Sequence, residues 1–179
     1  MEWAPVLRFW FEECAAADHW RKDPRLDAQI ASRFATLHRA AHRCELWHWR
    51  DSVAGRLAEI ILLDQFSRNI YRDSPAAFAS DGLALILAQE AVAAGLAAQL
   101  EPARRAFLYL PFMHSESARV HAAALPLFAE PGLENSYRFE LRHQAIIDRF
   151  GRYPHRNAIL GRESTAEELA FLQQPGSSF

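Results

Sequence analysis

Cysteine, glycine and lysine are scarce in this sequence of 179 residues. The two cysteines, Cys14 and Cys44, are too far apart for a C-x-x-C redox or zinc pair, and two thiols do not build the disulfide framework of a small secreted domain. Only seven glycines and few β-branched residues argue against a β-rich fold. One lysine stands beside nineteen arginines, a skew that a GC-rich genome or selection for bidentate anion contacts would each produce.

The common catalytic and nucleotide-binding motifs are absent as well. The sequence contains no G-x-G-x-x-G, Walker, G-x-S-x-G or H-E-x-x-H motif, which argues against the commonest nucleotide-binding, serine hydrolase and zinc protease classes. A formal net charge of −2 gives no general attraction to nucleic acid or to acidic membranes. We therefore expect no cofactor, no bound metal and no nucleic-acid partner.

No segment has the pattern of an export signal or of a membrane span. Charged residues interrupt the apolar N-terminus, and the most apolar long run, residues 83–100, contains Gln89, Glu90 and Gly95. This composition predicts a buried helix rather than a membrane helix. We expect a cytoplasmic protein with reduced cysteines and no membrane partner.

The residues that are abundant predict an all-α fold. Half of the chain is hydrophobic, which is enough for one domain with a substantial core, and alanine and leucine dominate. We expect antiparallel helices in a single domain over residues 1–173, followed by a flexible tail at 174–179. Caps, prolines and glycines predict helices from Pro5 to about Cys14, from Asp23-Pro24, from Asp51 or Ser52 to about Phe66, from Ser80-Asp81 to Gly95, from Pro102 to about Phe128 with a kink at Pro111, from Glu134 to Phe150, after Pro154, and after a capping box at Ser164-Thr-Ala-Glu167.

An acidic residue falls on the apolar face of the third predicted helix. At about 100° per residue, Leu57, Ile61, Asp64 and Arg68 share one stripe, so the Asp64 carboxylate emerges among apolar side chains. A buried charge needs a partner, and Arg68, four residues on, supplies one if the helix continues. Gln65 and Asn69 follow on the neighbouring face. An internal ion pair that ties helices together and a functional site are both open interpretations.

Histidines pose the same question on two other helices. His114 shares an apolar face with His121, whereas Glu116 lies about 200° away around the helix, so the two converge only if Pro111 breaks the helix. A single histidine on an apolar face is more often a satisfied core residue than a metal ligand. His38 and His42 have i, i+4 spacing but flank the apolar stripe, so we expect them to be solvated.

The segment Arg149-Phe-Gly-Arg-Tyr-Pro-His-Arg-Asn157 places cations at an unfavourable position. Arg152, His155 and Arg156 surround the predicted helix start at Pro154, although a helix N-terminus carries partial positive charge and unpaired N–H groups. The arrangement predicts an anion among them, either a carboxylate of the protein or a ligand.

Three segments together resemble a known bacterial family. Leu62-Leu-Asp-Gln-Phe-Ser-Arg-Asn-Ile-Tyr-Arg72, Tyr109-Leu-Pro-Phe-Met-His-Ser-Glu116 and Arg149 to Arg162 are similar to the family catalogued as domain of unknown function 924, and Phe9-Trp-Phe-Glu12 looks like its opening. The resemblance implies an all-helical fold of the tetratricopeptide-like superfamily and no established activity. Ser67 and Tyr153 stand where the family more often has proline and phenylalanine. The resemblance groups these polar residues without assigning roles: Asp64, Gln65, Arg68, Asn69, His114, Glu116, Arg152, His155, Arg156 and Asn157.

Two functional hypotheses follow. In the first, these residues line a pocket for a small anionic ligand, with the arginines binding it and with His114 or Glu116 as the candidate acid or base. In the second, the chain is a tetratricopeptide-like scaffold that binds a protein partner, and the polar residues are internal struts. Unpaired donors facing a solvent-reachable cavity would favour the pocket.

Overall fold

The computed structural model describes residues 1–178, so Phe179 of the predicted tail lies outside the described residues. Within this range the chain is helical and contains no β-strand, which confirms the predicted all-α class. The helices are α1 (Ala4–Arg8), α2 (Pro24–His42), α3 (Val53–Ile61), α4 (Ser67–Ile70), α5 (Asp81–Ala93), α6 (Pro102–Met113), α7 (Ala118–Phe128), α8 (Glu134–Phe150) and α9 (Ala166–Leu172).

The helix starts follow the capping residues of the sequence. The Asp23 carboxylate accepts a hydrogen bond from the Arg25 N–H at α2, and the Ser52 hydroxyl accepts one from the Gly55 N–H at α3. The predicted capping box of the last helix is one residue too early, because the reciprocal pair consists of Thr165 and Glu168.

Two helices contain a π-helical turn. One turn, Phe9–Glu13, extends α1, and the other, Leu62–Phe66, joins α3 to α4. The second turn keeps the chain helical from Val53 to Ile70, so Arg68 stays on the same helical rod as Asp64. Such turns occur frequently at functional sites.

The long helix predicted from Pro102 to Phe128 is two helices. Pro111 lies inside α6 without ending it, and the chain leaves the helix only at residues 114–117. The prediction was wrong because side chains from elsewhere bind the carbonyls of residues 113–115, which would otherwise need helical N–H partners. The Tyr153 hydroxyl donates to the carbonyl of Met113, Arg156 to that of His114, and His121 to that of Ser115.

The core forms around α3. Leu57, Ile60 and Ile61 are fully buried, and α3 packs against α1, α5 and α6. Helix α2 crosses the π-turn and α4, where the rings of Phe34 and Phe66 meet with centroids 5.1 Å apart. Helices α6, α7 and α8 pack in sequence order, so residues 114–117 lie between the core and the C-terminal part of the chain.

One segment, Pro75–Ala93, is long and apolar enough to cross a membrane by length and composition, with 19 residues and a mean hydropathy of 1.3. Only Asp81–Ala93 of this segment is α-helical, and 13 residues span about 20 Å, short of the ~30 Å hydrocarbon core of a bilayer. Ala84, Ala88 and Ala91 are buried against the neighbouring helices. One face of this segment therefore packs against the neighbouring helices, while only 33% of its most apolar window is buried.

The C-terminal part packs as a small subsidiary cluster. Ile146 and Ile147 of α8 surround Tyr153, which is fully buried. The helix expected after Pro154 is a single 3-10 turn, Pro154–Arg156, because backbone hydrogen bonding passes into turns after Asn157. In the predicted tail, the Ser177 hydroxyl donates to the carbonyl of Leu172.

Candidate functional site

Asp64 is the buried centre of the polar cluster. It lies in the π-turn after α3 with 1% of its surface exposed. The Arg68 Nη1 atom is 3.3 Å from its Oδ1 atom, and the Gln65 amide donates to the other carboxylate oxygen. Burial alone would raise the pKa of Asp64, but His114, Arg68 and the hydrogen bond from Gln65 hold that pKa below its usual range. The carboxylate is therefore ionised and accepts hydrogen bonds only.

Arg68 connects Asp64 to α5 by binding Asp81, the first residue of that helix. Its Nη1 and Nη2 atoms bind the two carboxylate oxygens of Asp81 at 2.8 and 3.0 Å, and Nη1 also donates to the backbone carbonyl of Asp64. The bidentate geometry makes Asp81 the main partner of Arg68. The sequence indicated Asp81 only as a helix start, and its partnership with a residue 13 positions earlier has no periodic signal.

His114 completes a histidine–aspartate dyad. Because α6 ends at Met113, the His114 ring turns toward the π-turn, and its Nδ1 atom lies 2.6 Å from Oδ1 of Asp64. An ionised carboxylate cannot donate, so Nδ1 carries the hydrogen. Burial and the charge of Arg68 lower the pKa of His114 more than Asp64 raises it, so the ring is neutral at neutral pH. Its Nε2 atom is then a proton acceptor.

Glu116 is a carboxylate that lies at the start of the 3-10 turn in the basic segment. Its carboxylate accepts hydrogen bonds from both Nη atoms of Arg162, at 2.6 and 2.9 Å, and from the backbone N–H of Tyr153 at 2.7 Å. The last contact caps the 3-10 turn that begins at Pro154. Of the two possibilities that the sequence left open, a carboxylate of the protein occupies this helix start.

Of the three arginines of the segment, Arg156 has the longest contact to a carboxylate. It is 5% exposed, and its guanidinium lies between the rings of Phe78 and Tyr153, 4.6 Å from each centroid. Its Nη2 atom donates to the carbonyl of His114 at 3.1 Å, while Nη1 reaches Oδ2 of Asp81 only at 3.5 Å. The Nε atom is buried without a hydrogen-bond partner in the described chain. Burial first, and then the charge of Arg68, lower the pKa of Arg156 to about 10.

The other predicted site residues lie away from this centre. Asn69 donates to Asp27, and the buried Asn157 bonds to Ser164 and Glu168. Arg152 forms a two-atom contact with Glu168 at 2.7 and 2.8 Å. The ring of His155 lies 5.7 Å from that of Tyr153, and burial lowers its pKa to about 4. The ten residues thus do not surround one space.

A cleft of about 380 Å³ opens beside the dyad. Its polar lining consists of Asp81, His114, Ser115, Glu116 and Arg156. The sequence had indicated three of them, His114, Glu116 and Arg156, as site candidates. Its apolar lining consists of Pro75, Phe78, Ala79, Gly82, Leu85, Pro111 and Leu160. Asp64, Gln65 and Arg68 lie behind this lining and hold His114 and Asp81 in place. The cleft volume lies at the small end of the ~300–1,000 Å³ of ligand sites.

A second cleft, of about 330 Å³, lies near the C-terminal end of α2 and includes His38, Arg39, His42 and Arg43. The expectation that both histidines are solvated was wrong for His38, which is 4% exposed and bonds through Nε2 to the Ser67 hydroxyl. The π-turn brings Ser67 against α2, and the spacing of the histidines could not indicate this. No group of three His, Cys, Asp or Glu side chains within residues 1–178 is placed to hold a metal ion.

Comparisons with known proteins agree with this architecture. The family model for a bacterial protein of unknown function, DUF924, matches residues 6–176, so the chain belongs to this family of all-α bacterial proteins. The solved structure of a protein of unknown function from Agrobacterium tumefaciens is similar at 36% sequence identity with a TM-score of 0.91, covering 96% of each chain. The search of curated proteins returns no match.

Proposed function

We propose that the protein binds a small anionic molecule in the 380 Å³ cleft, through Arg156, with His114 as the acid–base group beside it. The observation that carries this proposal is the incomplete pairing of Arg156. A guanidinium that is 5% exposed normally has a bidentate carboxylate partner, yet here Asp81 is bound to Arg68 and Glu116 to Arg162. An anion in the cleft would supply the missing countercharge.

The environment of His114 supports the acid–base assignment. Hydrogen bonding to Asp64 fixes the ring and leaves the lone pair on Nε2, the same division of roles that activates imidazoles in many enzymes. Glu116 is the weaker candidate because three hydrogen bonds already hold its carboxylate. His114 is thus the group in the cleft that is suited to accept a proton.

The alternative function is a helical scaffold for a protein partner, with a purely structural polar cluster. The saturation of Asp64, Arg68 and Glu116 by groups of the same chain supports it. Under this alternative, Arg156 is one more strut between α5 and residues 114–117.

The experiment is thermal unfolding in millimolar acetate, phosphate or chloride at matched ionic strength. A ligand that binds only the folded state raises the melting temperature, by about 1.4 kcal/mol of stabilisation at ten times its Kd. We expect acetate and phosphate to stabilise the parent beyond chloride, and Arg156→Gln to remove that difference.

Arg43→Gln is the matched control, because Arg43 lines the second cleft and has no ion-pair partner in the described chain. It should keep the response to oxyanions. Equal melting temperatures in all three salts, together with an equal loss of stability for Arg156→Gln in each, would support the scaffold instead.

A further inference from the structure

We infer, on the basis of the proposed anion site, that the ligand of the 380 Å³ cleft is a small zwitterion with an apolar body, the chemistry of a free apolar α-amino acid. The inference rests on the balance of charges in the lining. Asp81 and Glu116 line the cleft opposite a single guanidinium, that of Arg156, and His114 is neutral. Arg68 and Arg162 bind these carboxylates from outside the lining, so the lining itself presents carboxylate oxygens beside one guanidinium.

The carboxylates retain free acceptor positions. A carboxylate has about four lone-pair sites. Asp81 uses two of them in short hydrogen bonds to Arg68, and Glu116 uses three in its bonds to Arg162 and Tyr153. Their side chains are 20% and 26% exposed, compared with 6% for Arg156. The cleft therefore exposes part of each carboxylate, and a ligand ammonium group in it can approach Asp81 or Glu116.

The charges of the lining are adjacent, as they are in an α-amino acid. Nη1 of Arg156 and Oδ2 of Asp81 are 3.5 Å apart, which is too far for a strong ion pair. At this distance Arg156 can bind the carboxylate of a small ligand while Asp81 binds the ammonium group of the same ligand. In an α-amino acid a single carbon separates the ammonium from the carboxylate. A ligand carboxylate on Arg156 would thus place its ammonium beside Asp81.

The guanidinium plane favours a planar anion over a tetrahedral one. The planar guanidinium of Arg156 lies 4.6 Å from the ring centroids of Phe78 and of Tyr153, and its N–H donors lie in its own plane, where they match the two oxygens of a carboxylate. A phosphate dianion would also face Asp81 and Glu116 with like charge. Both observations place phosphate below a carboxylate in affinity.

The rest of the cleft is apolar. Phe78, Leu85, Pro111 and Leu160 lie around the charged groups and offer no hydrogen-bonding side chains. A branched aliphatic side chain would bury its surface against them, which contributes about 25 cal/mol for each Å² removed from water. The cleft thus combines charged residues that can bind both groups of a zwitterion with an apolar wall.

The test is isothermal titration of the full chain with four probes at neutral pH. L-Leucine carries both charges, 4-methylpentanoate keeps only the carboxylate, 3-methylbutylamine keeps only the ammonium, and inorganic phosphate lacks the apolar body. We expect leucine to bind about tenfold or more tightly than each of the others, because it alone forms both charged contacts. Asp81→Asn should reduce the advantage of leucine over 4-methylpentanoate while 4-methylpentanoate itself still binds.

The outcomes separate this inference from the proposed function. If 4-methylpentanoate or phosphate binds as tightly as leucine and Arg156→Gln abolishes that binding, the anion site stands and the zwitterion is wrong. If 3-methylbutylamine binds most tightly, the zwitterion is also wrong. If no probe binds and Arg156→Gln changes only stability, both proposals fail. Should Asp81→Asn not fold, the comparison of the four probes on the parent protein decides the inference.

Discussion

The Nδ1 atom of His114 lies 2.6 Å from Oδ1 of Asp64, although the two residues are 50 positions apart in the chain. This contact joins the π-turn after α3 to the loop after α6, and both of these elements depart from regular α-helix. Asp64 lies within the π-turn, and His114 directly follows the last residue of α6. The dyad is thus a product of two local irregularities in otherwise regular helices.

The dyad predicts the tautomer of His114. Burial, with the charge of Arg68, holds the pKa of His114 below its usual value of 6.5, and Asp64 accepts the Nδ1 hydrogen. Nitrogen NMR at pH 7 should therefore show a neutral ring with hydrogen on Nδ1 and none on Nε2. A doubly protonated ring at that pH would contradict the assignment of Nε2 as a proton acceptor.

Replacement of Asp64 by alanine should destabilise the fold by about 3–5 kcal/mol, because a partly buried arginine and a buried imidazole lose their shared acceptor. Urea unfolding followed by circular dichroism measures the loss. Asp148→Ala is the matched control, since Asp148 is exposed on α8, and it should change stability by less than about 0.5 kcal/mol. Similar values for the two variants would refute the central position of Asp64.

Tyr153→Phe tests the hydroxyl group of the buried Tyr153. The hydroxyl donates to the carbonyl of Met113 at 2.5 Å and lies 3.1 Å from Nε2 of His121. Its loss leaves a buried carbonyl unsatisfied and should cost about 1–2 kcal/mol in urea unfolding. An unchanged midpoint would mean that the α6 end does not depend on this contact.

Buried histidines predict a loss of stability in acid. Burial lowers the pKa of His38 and of His155 to about 4 and that of His143 to about 3. Between pH 6.5 and 4 these histidines bind protons in the unfolded chain but not in the folded chain, so the free energy of unfolding falls as the pH falls. Unfolding midpoints across this range should show it. His38→Gln should flatten the dependence by on the order of 1 kcal/mol per pH unit, and an unchanged slope would exclude His38 as a contributor.

Ser67→Pro should leave the protein at least as stable as Ser67→Ala does. Ser67 directly follows the π-turn and has φ of −55°, close to the value of about −65° that proline imposes. Both Ser67→Pro and Ser67→Ala lose the hydrogen bond to His38, but proline also restricts the unfolded chain. Thermal unfolding should place the proline variant at or above the alanine variant. The opposite order by more than about 1 kcal/mol would indicate a clash with the π-turn.

Much of the fold follows from local signals in the sequence. Asp23, Ser52 and Gly95 mark helix ends where the structure has them, because capping depends on neighbours within a few residues. The burial of Asp64 follows from its position on an apolar stripe, which the π-turn leaves intact. These predictions need no knowledge of distant contacts.

The parts that the sequence does not indicate depend on distant partners. Residues 114–117 leave the helix where Tyr153, Arg156 and His121 bind the carbonyls of residues 113–115. Pro111 was the stronger local signal for a break, yet α6 continues past it. For the same reason the cleft brings Glu116 to the side of His114, although a regular helix would separate them by about 200°.

The short α9 has an influence beyond its own seven residues. Glu168 at its start accepts hydrogen bonds from Arg152, Asn157 and the Thr165 N–H, and so anchors both ends of the segment that carries Arg156. Cleavage or truncation near residue 165 would remove this anchor while leaving every residue of the cleft lining in the chain. The C-terminus of the protein is thus the end at which shortening, or a fusion that disturbs α9, would alter a cleft formed by residues 75–160.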